Sequence, residues 1–129
     1  MTRIIPACRT TVPVGFEANC TIAEAIGDPV VFSTSGDNVV ERLTSNSYDS
    51  RLVIGVISEK LTPTTCIVVT MGILENIATG LSRGLPLWVS PTGSITTTRP
   101  LTGDLQVLGN AISPESVAIN IEMRKVKLV

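Results

Sequence analysis

The chain contains no histidine, and that absence removes most of the chemistry its other residues could support. A hydrolase triad needs an imidazole as general base, and a Cys/His metal site needs it as a neutral ligand. What remains is a Ser-Lys arrangement. The lysines are Lys60, Lys125 and Lys127, and only Ser58 stands close to one, two positions before Lys60. Spacing of that kind arises by chance on β-strands and does not by itself make a dyad. Glycoside hydrolysis would need paired carboxylates, but Asp28, Asp37, Asp49 and Asp104 all stand among turn formers, where Asp bonds its own backbone. The strings "SGDN" at 35–38 and "TGDL" at 102–105 lack the alternating acidic positions of a calcium loop. "GLSRGLP" from Gly80 lacks the Lys-Ser/Thr end of a phosphate loop and the helix that follows one. Cys8, Cys20 and Cys66 have neither CxxC nor zinc-like spacing and read as small, reduced, buried thiols. The expectation is a non-enzyme with no catalytic, cofactor or metal site.

Composition narrows the partners. At 129 residues the chain is one domain, long enough to bury a core without metals or disulfides. Only 16% of residues are charged and the net charge is -1, against about 25% charged in an ordinary soluble domain. The ten basic residues are scattered, the densest group being Arg124, Lys125 and Lys127, which argues against nucleic acid as a partner. Phe16, Phe32, Tyr48 and Trp88 are the whole aromatic set, too few for a stacking platform. No apolar run is long enough to cross a bilayer, so no membrane partner is expected. Abundant Thr and Ser can clothe strand surfaces in place of charge. The remaining apolar surface points to a homo-oligomer or an assembly component whose neighbours cover it. Met1, Thr2 and Arg3 lead into a short apolar stretch broken by Pro6, which is no secretory signal; the protein is expected to stay where it is made or to join a particle there.

The scaffold for these surfaces is an internal duplication. Gly27, Pro29, Ser33 and Gly36 in "GDPVVFSTSG" return as Gly84, Pro86, Ser90 and Gly93 in "GLPLWVSPTG". Each copy spells a Gly turn, a Pro at the first strand position, three apolar strand residues and a polar turn. Both lead to a Gly-centred apolar stretch, at Gly55 and at Gly109, and then to strands over 66–71 and 117–123. Residues 39–43 and 94–98 return as the second strands of two hairpins, and the near-continuous apolar run at 52–58 is expected to be buried on both faces or at a subunit contact. Ile67, Val69 and Met71 alternate with Cys66, Val68 and Thr70, and Val117, Ile119, Ile121 and Met123 alternate with Ala118, Asn120, Glu122 and Arg124. Residues 21–26 offer one helical turn capped by Thr21 and stopped by Gly27. The fold expected is all-β, a small barrel or sandwich at 25–129, with residues 1–24 as an extended N-terminal arm or an ordinary first edge strand. Ile4, Ile5, Val12 and Val14, set between prolines, are the candidate contacts to neighbouring subunits in the arm. Trp88, which takes the place of Val31 in the second copy, is the candidate core or subunit-contact residue there.

The order of these pieces, "AIGDPVVFS", "IGVIS", "CIVVTMG", "GLSRGLPLWVSPTGSITTTRP", "VLGNAIS" and "VAINIEM", resembles the capsid decoration (cement) proteins of tailed bacteriophages over roughly residues 25–123. Similar hairpins occur in phage tail and neck fibre proteins. The resemblance implies a small β-barrel or β-tulip without enzymatic activity, often a homotrimer, bound to the major capsid protein on the virion surface after assembly in the host cytoplasm. It also implies anchoring by a terminal arm, here residues 3–15, although that stretch carries no family motif. A tail, neck or fibre-base subunit is the alternative, and a glycan-binding adhesion domain a more distant one.

Overall fold

The computed structural model describes residues 13–43, 51–101, 104–124 and 126–127. Among them the chain is all-β and contains no helix. Its strands are β1 (Val14–Asn19), β2 (Pro29–Phe32), β3 (Val40–Arg42), β4 (Gly55–Thr62), β5 (Thr65–Leu74), β6 (Pro86–Val89), β7 (Ile95–Thr96), β8 (Asp104–Leu105), β9 (Gly109–Ala111), β10 (Val117–Asn120) and β11 (Val126–Lys127). A curled antiparallel sheet runs in the order β3-β2-β4-β5-β10-β9-β6-β7, with β1 also on β5, and β8 pairs with β11 as a separate ribbon.

The first copy folds into a nearly closed unit. β2 and β3 form the expected hairpin, Phe32 facing Val40 and Val30 facing Arg42. Its turn ends on Asn38, at φ 53, a left-handed conformation that Asn adopts more readily than most residues. β4 lies on the other side of β2 and turns at Pro63 into β5. β1 lies along β5, with Phe16 facing Val68 and Ala18 facing Cys66. At its end Asn19 bridges Val39, next to β3, and donates its backbone N–H to the Asn38 carbonyl at 2.9 Å. Ala18, Val30, Val40, Ile57, Cys66 and Val68 fill the interior so formed.

The second copy repeats the first in space. Val30 faces Gly55 as Leu87 faces Gly109, and Pro29 faces Val56 as Pro86 faces Asn110. Gly27 donates to the Ile57 carbonyl at 2.8 Å, and Gly84 to that of Ala111 at 2.7 Å. Ser33 and Ser90 each donate a backbone N–H across their turns, to Val39 at 2.8 Å and Ser94 at 2.7 Å. Ile57 faces Val68 just as Ala111 faces Val117.

β5 belongs to both copies. Its first part is the last strand of copy one; its end pairs with β10, Leu74 facing Val117 in the way Phe16 of β1 faces Val68. Between the two parts the register against β1 shifts, Val14 facing Met71 while Gly15 faces Val69, a bulge that re-aims the strand. Gly72 sits at φ 137, and a Cβ there would lie 2.7 Å from the Pro13 Cα, so no other residue fits this crossing without displacement. The sequence reading places a strand at 66–71 that Gly72 ends, with residues 73–77 continuing the sheet; in the structure the two are joined through this glycine in one strand that ends at Leu74.

The copies differ in how their hollows are filled. Copy one closes on its own side chains, whereas copy two is an open half-barrel occupied by the outer face of copy one. Val31, Val56 and Val69 of the first copy pack with Leu74, Leu87 and Val117 of the second in one larger core. The apolar run at 52–58 is therefore buried on both faces: Val56 belongs to the larger core and Ile57 to the smaller, each fully buried. Each such side chain contributes about 1.5–3 kcal/mol relative to exposure.

Some expectations shift. The strand expected at 52–58 begins only at Gly55 and runs on to Thr62, and the Gly-centred stretch at 106–112 pairs only over Gly109–Ala111. Residues 21–26 make the contacts of a helix cap without a helix. Thr21 donates its N–H to Glu24 Oε1 at 2.7 Å and accepts from the Ala23 N–H at 3.2 Å, but the chain turns away at Gly27, at φ 93, to enter β2. Of the segment 1–24, residues 1–12 lie outside the described residues, as does the polar loop 44–50; Val14–Asn19 is β1.

Two contacts hold the copies together beyond the shared strand. The buried Gln106 amide accepts from the Val53 N–H at 2.8 Å and donates to the Val53 carbonyl at 2.8 Å and that of Glu122 at 3.0 Å. It thereby completes backbone pairing that no strand supplies there. Gly93, at φ 90, lets the β6–β7 turn sit directly against the Leu43 carbonyl, where any Cβ would collide. Gln106→Leu removes the amide and leaves the Val53 N–H and carbonyl unpaired in the interior, at about 1–3 kcal/mol per group. Urea unfolding of this variant should show a loss of roughly 3 kcal/mol at unchanged m-value. A loss under about 1 kcal/mol would show that water or the backbone replaces the amide.

Candidate functional site

Where β2 ends and β4 begins, the first copy opens into an apolar cleft of about 370 Å³. Phe16, Phe32, Ile54, Met71, Ile121 and Met123 line it. The Phe16 and Phe32 rings are tilted by 30° with centroids 6.0 Å apart, within the range of favourable aromatic pairs. Phe32, Met71 and Met123 are 48%, 53% and 57% exposed, an unusual concentration of large apolar groups at one opening. Thr70 and Asn120 are the polar members, and the Thr70 hydroxyl already donates to the Val14 carbonyl at 3.2 Å. Among the described residues no ionisable side chain lines this cleft. It can bury an apolar group, and its two thioethers can adjust to the shape of whatever enters.

The expected contact residues fall in different places. Ile4, Ile5 and Val12 lie outside the described residues. Val14 is exposed and faces Met71 across the β1–β5 pair, beside the cleft. Trp88 is half-buried on the opposite face of β6 from Leu87 and Val89, with the Arg99 guanidinium 6.0 Å from its ring centroid. The cleft itself was not anticipated. Its residues come from β1, β2, the segment before β4, β5, the end of β10 and the segment after it, a spread that no local pattern in the sequence joins.

The groups tested for chemistry are engaged elsewhere. Lys60 donates its Nζ to the Thr21 and Glu24 carbonyls at 2.8 Å each, tying the turn after β1 to β4, while Ser58 donates to the Ile67 carbonyl at 3.5 Å. A register shift between Ile57 and Glu59 further separates their settings. Asp28 accepts from the Ala25 N–H at 2.9 Å and stands 4.0 Å from Arg42, the turn role its position implied. Among the described residues no cluster of three Cys, Asp or Glu side chains is placed to hold a metal ion. Cys20 and Cys66 are free and buried in the smaller core; Cys8 lies outside the described residues. Burial, then the hydrogen bond that the Cys66 thiol donates to the neighbouring Cys20, pushes the Cys66 thiol up to about 12.

No known protein family, no curated protein and no solved structure matches this chain.

The Cys66 thiol makes stability depend on alkaline pH. Its folded value lies above the ordinary 9.0, so its contribution is complete below about pH 9 and declines as pH rises towards 12, because only the unfolded chain gives up the proton. Urea midpoints measured at about pH 8 and about pH 10.5 should therefore fall less in Cys66→Ala than in the native sequence. Equal declines in the two proteins would contradict a buried, proton-holding thiol.

Proposed function

We propose that this protein is a non-enzymatic structural subunit of a virus particle, a decoration protein on the capsid of a tailed bacteriophage. Assembled in the host cytoplasm, it binds the major capsid protein as a homotrimer and stabilises the head by binding only its assembled form. The observation that carries this reading is the apolar cleft. Phe32, Met71 and Met123 stand exposed together in a chain of low charge, around a cleft that apolar and neutral polar side chains line among the described residues, where a partner's apolar side chains gain burial with little charge to desolvate. The duplicated β-scaffold supports it, because it gives a platform in which Lys60 and Asp28 serve internal contacts. The order of strands and turns over residues 25–123, which resembles that of decoration proteins, supports a capsid as the assembly.

Heads assembled from the major capsid protein encoded in the same genome provide the test. The purified protein should co-sediment with them saturably and raise the temperature at which they disrupt. Met71→Glu combined with Met123→Glu should weaken that binding at least tenfold, with the variant's own melting temperature little changed, since both side chains are more than half exposed. Heads that take up no protein, or that take up the double variant equally well, would refute the proposal.

A further inference from the structure

A second pocket lies behind the segment that walls the cleft. Ile121 and Met123 line the cleft, while Glu122 and Arg124 line a separate space of about 250 Å³ whose walls include Trp88, Leu105 and Val126. The β8–β11 ribbon contributes Leu105 and Val126 on one side, and the outward face of β6 contributes Trp88 on the other. Over the indole stands the exposed Arg99 guanidinium, 6.0 Å from the ring centroid. Arg124 is already paired with Glu122 at 3.0 Å, so the carboxylate that lines the pocket among the described residues is engaged. Among the described residues neither Arg99 nor the indole N–H has a hydrogen-bond acceptor. The pocket thus combines apolar walls with donors that lack acceptors among the described residues.

We infer that this pocket binds an acidic segment of a partner protein. One apolar side chain of that segment sits against Trp88, Leu105 and Val126, and a neighbouring carboxylate takes the free donors of Arg99 and the indole N–H. A planar guanidinium offers two parallel N–H groups to a carboxylate, and its place over the indole sets both donors at the mouth of the same pocket. A neutral apolar segment would leave those donors unpaired, and an acidic segment without an apolar residue would leave the walls empty; the combination is what the site selects. The inference deepens the assembly reading by giving the chemistry of a partner, and it rests on that reading only for the partner being a protein.

Trp88 is the only tryptophan, so its fluorescence reports on this pocket alone. The probe is a capped hexapeptide alternating leucine with aspartate and glutamate, compared with the same peptide carrying asparagine and glutamine. The acidic peptide should change the fluorescence saturably, with a Kd that rises with salt, and the neutral one should not. Arg99→Met should raise the Kd at least tenfold with an unchanged melting temperature, while Met71→Ser, in the cleft, should leave it unaltered. No saturable response, an equal response to the neutral peptide, or unaltered binding by Arg99→Met would overturn the inference. The assay contains no capsid, so its failure and a failure of head binding are separate results.

Discussion

One strand has to serve two neighbours, and the rest of the molecule follows from that. β5 completes the first copy with its early residues and opens the second with its last, so neither copy has a full set of strands without it. Its two tasks require the chain to change direction without leaving the sheet. The bulge beside Val14 and the left-handed Gly72 meet that requirement, the first by adding a residue on one side and the second by admitting Pro13 at close range. Sharing also explains the unequal cores. β1 closes copy one on its own side chains, while copy two receives the outward faces of β2, β4 and β5 instead of closing.

Polar groups inside this arrangement act as substitutes for missing backbone partners. Gln106 supplies Val53 with both a donor and an acceptor where the two copies meet without a ladder, and Lys60 gathers two carbonyls from a turn that the cap contacts of Thr21 and Glu24 hold in shape. Both are conventional strand-surface residues by type, yet in place they carry backbone satisfaction that a sheet would otherwise provide. This use of the lysine and the turn aspartates leaves the exposed apolar cleft and the Trp88 pocket as the surfaces with unspent binding capacity, back to back across residues 121–124.

Much of the scaffold was legible because turns are local. Gly27, Pro29 and their counterparts Gly84 and Pro86 dictate backbone shape at their own positions, so a repeated spelling becomes a repeated register, and the alternation through Val117 and Ile119 marks a strand with one buried face. Gly72 was half legible for the same reason, since a glycine there reads as a break between residues 66–71 and the sheet's continuation at 73–77 unless the approach of Pro13 is known. Gln106 was hidden inside an apolar stretch where a single amide carries no pattern. The cleft was hidden because Phe16, Phe32, Met71 and Met123 are far apart in sequence and meet only once β1 has wrapped onto β5 and the chain has passed β10. The replacement of Val31 by Trp88 between copies was visible, but its sense was not: Val31 faces the shared core, whereas the outward face of the second copy has no core to face.

The account stands on β5 binding the two copies into one cooperative unit, and native-state hydrogen exchange read residue by residue tests this directly. The amides of Val68 and Leu74, which face β4 and β10 respectively, should fall in the same slowest class and open only with global unfolding, in step with the core strands of both copies. If Leu74 and the strands of the second copy exchange through a separate, lower-energy opening while Val68 stays protected, the copies are independent and the shared strand is not what holds the fold together.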